Sequence, residues 1–421
     1  KSGIRRDRGE LATPLTVPRR VLVTLMTSQA LFSAGYVTVV SVLGLLASDL
    51  TGNDRWAGLP NAALTLGTAA MAAPLARRAM AKGRRPALWA GYLLGAAGAV
   101  AGFLLGQGGL FILFLAALLF VGTGQTAALQ SRFAAADLAS PQERGRVISL
   151  VVWVGALGGV IGPSLGAWEN TWGMEQGFRD WTAPLLVSSL LFSLAAAVVA
   201  IGLRPDPLSN GRVFQPDPAS RPSLGATWAV IKARPLALLG IGAIALSQAA
   251  MVAVMTMTPL HMRDHGQAEL SGAVIALHVL GMFGLSPLVG RIVDRIGPLR
   301  SIRLGAAILG TGVLAAVVAG YQPVLIFAGL FLLGLGWSFG LISGSSLLVS
   351  ASGDEYRVAS QGLADAVLSV LGGSAALASG FVKESFGFHW LSNLAFVLAL
   401  AVGVWASARH RRSQVTTLNQ G

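Results

Sequence analysis

Thioether and imidazole side chains are concentrated in one stretch of this chain, residues 251–282. The stretch holds five of the nine methionines and three of the five histidines in the 421-residue sequence. Met251 with Met255, and His278 with Met282, have i, i+4 spacing. Residues with this spacing lie on one face of an α-helix, about 6 Å apart along its axis. Sulfur donors combined with an imidazole nitrogen suit a soft metal ion, and Cu(I) is the first candidate.

The absence of cysteine narrows the choice of metal. Because the sequence has no Cys, no thiolate can hold an ion and no disulfide can form. Zn²⁺ normally recruits Cys, His or carboxylate groups, whereas Mg²⁺ and Ca²⁺ require oxygen ligands. Neutral thioethers hold Cu(I) only moderately, which suits a carrier that must release the ion again. The alternative for each methionine taken alone is packing, since methionine often fills gaps between helices.

The composition is that of a membrane protein. Hydrophobic residues make up 54% of the chain and charged residues 12%, with a mean hydropathy of +0.66, against roughly 25% charged residues in a soluble domain. Apolar runs of about 20 residues, each long enough to cross a bilayer, predict an all-α membrane protein with twelve transmembrane helices in two six-helix pseudo-repeats. The predicted spans are 20–46, 57–79, 85–107, 109–134, 147–168, 181–203, 236–259, 271–292, 299–320, 323–350, 358–382 and 387–408.

Positive charge is concentrated on one side of this predicted bundle. The net charge of +13 could indicate nucleic acid binding in a soluble protein, but here it marks topology, and no nucleic acid partner is expected. The loops on the side opposite the termini hold only four of the 31 Lys and Arg residues, namely Arg55, Arg179, Arg263 and Lys383. The positive-inside rule therefore predicts that both termini are cytoplasmic. The basic, polar first twenty residues do not predict a cleavable signal peptide.

One long polar connection divides the spans into two sets of six. We predict an N-terminal six-helix half over 1–203, a proline-rich cytoplasmic linker over 204–235 and a C-terminal six-helix half over 236–421. Repeated halves of this size are the build of many secondary transporters, whose substrate sites lie near the bilayer midplane.

Short matches between the halves support the repeat. A Ser-Gln-Ala triplet around Gln29 in span one recurs around Gln248 in span seven, and Gly67 in span two matches Gly281 in span eight. The two glutamines are predicted to occupy equivalent places and to line a central cavity. By depth, Met255 and His278 are predicted to lie nearer the outer end of their spans and Met251 and Met282 nearer the midplane, as two rungs of soft ligands.

The loop after span eight resembles the signature of the major facilitator superfamily, Gly-x-x-x-Asp-Arg-x-Gly. The matching residues are Gly290, Asp294, Arg295 and Gly297. Glycine permits close packing and a sharp turn, and the aspartate lies beside helix ends and basic side chains, where it can latch the cytoplasmic side. The copy after span two is degraded, with Ala76, Met80 and Ala81 at the positions of the glycine, aspartate and arginine.

The two ligand pairs resemble the signature of the CcoA-type copper importers within that superfamily. The resemblance implies copper uptake into the cytoplasm across the bacterial inner membrane, to supply assembly of the cbb3-type cytochrome oxidase. Met251, Met255, His278 and Met282 are the matching positions. It also implies copper as a transported substrate rather than a resident cofactor, and partners such as a copper chaperone or oxidase assembly factors around a monomer in the lipid bilayer. Relatives without the pairs carry other solutes, including riboflavin.

Further polar residues have weaker assignments. His261, Met262 and His265 are predicted in the outer loop after span seven, where they could collect copper or could be ordinary loop residues. Asp365, inside span eleven, could bind a proton or a cation on the way to the cytoplasm, or could be a packing carboxylate. Because Arg132 and Asp137 are five residues apart, we expect them to anchor to the interface or to neighbouring loops rather than to each other.

Two other functions remain open at this point. The glycines spaced by four in span five, Gly158, Gly162 and Gly166, resemble a motif of exporters and antiporters, which favours a proton-coupled carrier of an organic solute such as a drug or riboflavin. A membrane copper sensor would bind the ion without transporting it. No phosphate-binding loop and no nucleophile–base arrangement is present, so neither an ATP-driven pump nor an enzyme is predicted.

Overall fold

The computed structural model describes residues 17–52, 56, 58–208, 222–264, 270–318 and 322–418, and these contain helices and no β-strand. The all-α prediction is therefore confirmed. The N-terminal group of helices is α1 (Arg19–Thr51), α2 (Leu59–Lys82), α3 (Arg84–Gln107), α4 (Phe111–Leu138), α5 (Arg144–Glu175) and α6 (Ala183–Gly202). After a short helix, α7 (Leu224–Ala233), the C-terminal group is α8 (Pro235–Asp264), α9 (Ser271–Val279), α10 (Ser286–Ile296), α11 (Pro298–Val318), α12 (Pro323–Ala351), α13 (Arg357–Phe386) and α14 (Phe388–Leu418).

Ten of the helices in the described ranges are long and apolar enough to cross a membrane. The other two predicted spans fall on α2 and α5, which are 24 and 32 residues long. Span eight is not one continuous α-helix, because a π-helical turn over Leu280–Gly284 separates α9 from α10. Each predicted span thus falls on helical residues, and span eight contains a π-helical turn that hydropathy does not reveal.

Each group packs mainly on itself, through glycines that let helices approach closely. In the N-terminal group, Gly158 and Gly166 of α5 lie against Ser33 and Ser41 of α1. In the C-terminal group, α8 packs on α12, α13 and α14, and α11 packs on α12. The spacing of the span-five glycines therefore serves the contact between α1 and α5 in this chain.

The two groups meet along two helix pairs, α2 with α13 and α5 with α10. We call the end of the bundle at which α1 begins and α14 ends the basic side, and the opposite end the far side. On the basic side, Gly290 of α10 is so close to Gly145 and Ser149 of α5 that an added methyl group would overlap them. Gly362 of α13 lies equally close to Ala76 of α2. The bundle is therefore closed on the basic side.

Two elements depart from the sequence prediction. Helix α7 lies within the connection predicted as a linker, where Ser223 accepts a hydrogen bond from the Ala226 amide (3.1 Å) and Ile231 is buried. Helix α8 ends at Asp264 rather than near residue 259. The helix therefore continues past the apolar run that defined its predicted end, because backbone hydrogen bonding does not stop where hydropathy falls.

Candidate functional site

His278 is a buried imidazole with one nitrogen fixed and the other without a partner. Its side chain is fully buried in α9. Its Nδ1 lies 2.7 Å from the carbonyl oxygen of Leu330 in α12, and since a carbonyl only accepts, Nδ1 carries the proton and donates. Among the residues that the structure describes, Nε2 has no hydrogen-bond partner. The neutral ring therefore holds a lone pair on Nε2, in the arrangement found in metal-binding histidines whose other nitrogen donates to a carbonyl.

Met282 lies on the same side of span eight as His278, against α12. A Cβ built on Gly334 of α12 would overlap the His278 carbonyl oxygen and would lie 3.1 Å from Met282 Cγ. Met282 belongs to the π turn, whose wider winding replaces the regular geometry assumed from the i, i+4 spacing. The pair thus faces one neighbouring helix although the segment between its members is not α-helical.

Met251 and Met255 belong to α8, another helix that packs against α12. Ser247 of α8 lies against Gly340 of α12. Because the two helices run antiparallel, Met251, one turn beyond Ser247, lies near the level of Gly336. That level is about 3 Å from Gly334, where Met282 is found. Met251 and Met282 are buried in one apolar cluster, and the partly buried Met255 packs against it.

Gln29 and Gln248 are partly exposed and hydrogen-bonded in both groups. The Gln29 side chain accepts from Ser131 Oγ of α4 (3.1 Å) and donates to Ser33 (3.3 Å). Gln248 accepts from Trp337 Nε1 of α12 (2.6 Å). A half-exposed amide in the middle of a helix bundle indicates a polar lining.

Aromatic rings that the sequence reasoning did not single out complete this lining. Phe283 of the π turn meets Trp337 edge to face, with ring centroids 5.6 Å apart. A Cβ on Gly155 of α5 would lie 3.9 Å from both Phe283 and the Gln29 amide. The two groups of helices therefore share a zone of amides and aromatic rings. In the sequence, the indole of Trp337 within the glycine-rich segment 334–340 is the signal that could have revealed the zone.

Asp365 and Arg132 form a buried ion pair between the two groups. The Arg132 Nη2 atom lies 2.6 Å from Asp365 Oδ1, and both side chains are almost completely inaccessible. Arg84 and Asp137 form a second buried pair at 2.8 Å, and Arg84 also donates to Gln361 of α13. The expectation that Arg132 and Asp137 anchor to the interface or loops is wrong. Partners for both are supplied by distant parts of the chain, which spacing along one helix cannot indicate.

The loop-motif aspartate lies at the start of α5. Asp294 Oδ1 accepts from the Gly145 amide (2.7 Å) and Oδ2 accepts from the Arg146 amide (2.8 Å). A carboxylate at this position satisfies the free amides of a helix N-terminus and complements its dipole. Gly297 has a left-handed φ of 84°, which ends α10 sharply, and Arg295 is exposed. The motif therefore ties the C-terminal group to the N-terminal group on the basic side.

The accessory residues are placed differently from the prediction. His261 and Met262 belong to helix α8 rather than to a loop, since α8 extends to Asp264. The His261 ring stacks on Phe388 of α14 with centroids 4.2 Å apart. Met262 is buried beside Leu330 in a small apolar cluster. His265 lies outside the described residues.

The chain matches the model of the Major Facilitator Superfamily over residues 25–377 and 270–419. It is 34% identical to YdeG, an uncharacterised transporter of that type from Bacillus subtilis, over 93% of each chain. It is 28% identical to the riboflavin transporter RfnT of Brucella anthropi, over 93% of this chain and 96% of that one.

Solved structures with the same arrangement of helices share little sequence with this chain. The human organic anion transporter MFSD10 has a TM-score of 0.74 at 17% identity, covering 94% of this chain and 100% of that one. A bacterial homologue of the iron transporter ferroportin has a TM-score of 0.69 at 15% identity, covering 92% and 98%. At such low identity the likeness concerns the fold alone.

Proposed function

Because this chain belongs to the Major Facilitator Superfamily and is a secondary transporter, we propose that its cargo is copper, imported into the cytoplasm across a bacterial inner membrane. One observation carries the proposal, the Nε2 lone pair of His278. A buried nitrogen without a partner is costly in a membrane helix, so its retention favours a ligand. The Leu330 carbonyl fixes the ring in the tautomer that a metal ion requires.

The methionines supply the remaining donors of the proposed site. Met251 of α8 and Met282 of span eight are both buried, on two helices that pack against α12. Thioethers are neutral and soft, which favours Cu(I) over harder ions. The described residues contain no group of three or more His, Asp or Glu side chains that could hold a metal. The donor set therefore supports a soft ion held loosely enough to be released.

The proposed route runs from the far side to the basic side. The positive-inside rule assigns the basic side to the cytoplasm. Copper would first meet Met255 and His278, then pass to Met251 and Met282. Release requires the basic side to open, which breaks the contact of Asp294 with α5 and the buried ion pair of Arg132 with Asp365. Copper delivered this way would serve cytochrome oxidase assembly.

Uptake of radioactive copper by proteoliposomes, under reducing conditions, tests the proposal. We expect His278→Leu and Met251→Leu to lower the initial rate at least about tenfold, by loss of a ligand. Met257→Leu is the matched control, because Met257 is a buried methionine on the same helix but on another face. Uptake at the wild-type rate in all three variants, at equal protein levels, would refute these residues as the copper site, and wild-type uptake no faster than in protein-free liposomes would refute copper as the cargo. Copper binding without uptake would instead indicate a sensor.

A second candidate cargo is a flat organic solute, and the zone of amides and aromatic rings favours it. Trp337, Phe283, Gln29 and Gln248 combine stacking surfaces with hydrogen-bonding groups, as small-molecule sites do. The similarity to a riboflavin transporter lends this reading weak support. Riboflavin uptake that depends on Trp337 but is unchanged in Met251→Leu would establish this alternative.

A further inference from the structure

A groove of about 820 Å³ lies on the outer surface of the C-terminal group, between α11 and α14. Its floor is mainly apolar, from small residues such as Ala307 and Gly403 to larger ones such as Leu400 and Val404. At its basic-side end the groove is lined by Arg300 and Arg303. From Arg300 to Ala307 the groove runs about 10 Å along the helix axis. It therefore begins where lipid headgroups lie and continues into the depth of one leaflet.

Two arginines give the mouth of this groove its positive charge. Arg300 and Arg303 are exposed, and neither forms an ion pair among the described residues. The segments 298–318 and 388–418, which form α11 and α14, contain no Asp or Glu. Further positive charge follows on α14, at Arg409, Arg411 and Arg412. The groove thus combines an apolar floor with an uncompensated cationic end.

We propose that this groove binds an anionic phospholipid, with its phosphate at Arg300 and Arg303 and an acyl chain along the floor. Basic residues between transmembrane helices near the membrane surface are a recurrent site for acidic headgroups. Guanidinium groups pair with phosphate through charge-assisted hydrogen bonds. The chain's own C-terminal segment is a poor occupant because it is itself basic and would be repelled.

A second groove provides a contrast. It is smaller, about 560 Å³, and lies between α2 and α3. Its only cationic lining residue, Arg78, already donates to the Pro86 carbonyl (3.1 Å). One occupied guanidinium offers less to a phosphate than two free ones, so selectivity for acidic lipid is assigned to the groove of the C-terminal group.

Native mass spectrometry of the full chain, titrated with phosphatidylglycerol or phosphatidylcholine, tests the proposal. We expect tight retention of phosphatidylglycerol and a loss of about thirty-fold in affinity in the double variant Arg300→Gln, Arg303→Gln. The double variant Arg19→Gln, Arg77→Gln is the matched control, because it removes two exposed charges from the basic side away from the groove. Ala307→Phe fills the floor and keeps both arginines, so it should also weaken lipid retention.

Several results would overturn this inference. Equal retention of the neutral and the acidic lipid would identify ordinary surrounding lipid. Equal affinity in the two double variants would remove the role of these arginines. Binding of glycerol phosphate as tightly as the lipid, unaffected by Ala307→Phe, would indicate a soluble anion site instead. A dimer that the arginine substitutions dissociate would make a second copy of the chain the occupant.

Discussion

The two groups of helices share one packing arrangement but fill it with different chemistry. In the N-terminal group, Gly122 of α4 lies against Leu64 and Thr68 of α2. In the C-terminal group, a glycine of α12 lies in the same way against His278 and Met282. Both pairs are four residues apart on the second span of their group. Leu64 and Thr68 thus occupy, in the N-terminal group, the positions that His278 and Met282 occupy in the C-terminal group.

The first spans of the two groups also carry different residue types at equivalent positions. The Ser-Gln-Ala triplets align α1 with α8 and set Phe32 and Tyr36 at the places of Met251 and Met255. The two rings stack with centroids 5.5 Å apart, and Phe32 lies against Gly124 of α4. Aromatic packing therefore fills the N-terminal group where the C-terminal group has paired thioethers.

The packing arrangement itself does not require sulfur or imidazole side chains. The N-terminal group packs the equivalent space with Phe32, Tyr36 and Leu64, which leave no unpaired nitrogen. His278 instead keeps a buried nitrogen without a partner in the described structure. Since an unpaired buried nitrogen weakens packing, its presence supports the ligand role proposed for His278.

The basic-side loops differ as well. In the C-terminal group the loop aspartate, Asp294, caps α5 with a carboxylate. In the N-terminal group that aspartate is lost, and the buried cluster of Arg84, Asp137 and Gln361 lies where the groups meet. One contact is a helix cap, and the other places opposite charges in a low dielectric. The two should respond very differently to substitution.

Removal of Asp137 should have the largest effect. Asp137→Ala leaves the guanidinium of Arg84 buried without its carboxylate, which should lower the free energy of unfolding by about 3–5 kcal/mol. Denaturant titration of the purified protein in detergent measures this change. Asp354→Ala is the control, since Asp354 is exposed and its pair with Arg357 should contribute less than about 1 kcal/mol. Similar losses in the two variants would show that the buried pair contributes no more to stability than an exposed one.

Transplanting residues of the N-terminal group into the C-terminal group should abolish function but not folding. The double substitution His278→Leu, Met282→Thr reproduces the Leu64 and Thr68 pair. We expect the copper uptake rate to fall about 100-fold, as expected when ligands are lost, while the protein still folds. Uptake and thermal unfolding are measured on the same preparation. Normal uptake would show that the two pairs are interchangeable and would remove the basis for the copper site.

Neutralising Asp294 should ease opening of the basic side. Asp294→Asn weakens charge-assisted bonds at the start of α5 by about 1 kcal/mol, which corresponds to about a fivefold shift toward the open state. The chain has no cysteine, so Ser149→Cys, at a buried position beneath Gly290, reports opening through its labelling rate with a maleimide. Asp354→Asn in the same background should leave the rate unchanged. A rate that does not respond to Asp294→Asn would show that this cap is not part of the closure.

The smallest effect is expected at Thr68. Its one hydroxyl proton is shared between the Leu64 carbonyl of the same helix (2.9 Å) and the Gly122 carbonyl of α4 (3.1 Å). A hydrogen bond between helices is worth about 0.6 kcal/mol in membrane proteins. Thr68→Val should lower stability by that amount and leave copper uptake unchanged. A change in uptake would mean that the N-terminal group also contributes to the cargo site.

The sequence predicted the spans well because hydropathy directly reflects the thickness of a bilayer. It also placed Gly290 and Asp294 in a basic-side contact through a local motif. It could not predict the ion pairs of Arg84 and Arg132, whose partners are 53 and 233 residues away along the chain. Such pairs depend on which helices become neighbours, and a single span carries no information about that.

The sequence also did not predict where helices end or where their winding is irregular. His261 was predicted in a loop because the apolar run ends before it. In the structure its ring is buried and stacks on Phe388. The π turn over Leu280–Gly284 leaves no mark in residue composition, since its residues also form ordinary helices. Spacing placed His278 and Met282 on one helix face, and both lie on the α12 side of span eight although the turn that holds Met282 is π-helical. Their convergence with Met251 and Met255 on one ion stays a prediction.

The π turn has one further consequence for span eight. It holds one residue more than a regular turn, between an outer segment tied to α12 through His278 and an inner segment tied to α5 through Asp294. Movement of such a surplus residue by one position turns the residue that it passes by about 100° about the helix axis, while the segments on either side keep their orientation. A side chain of the π turn can thus change the face it presents while both ends of span eight keep their contacts.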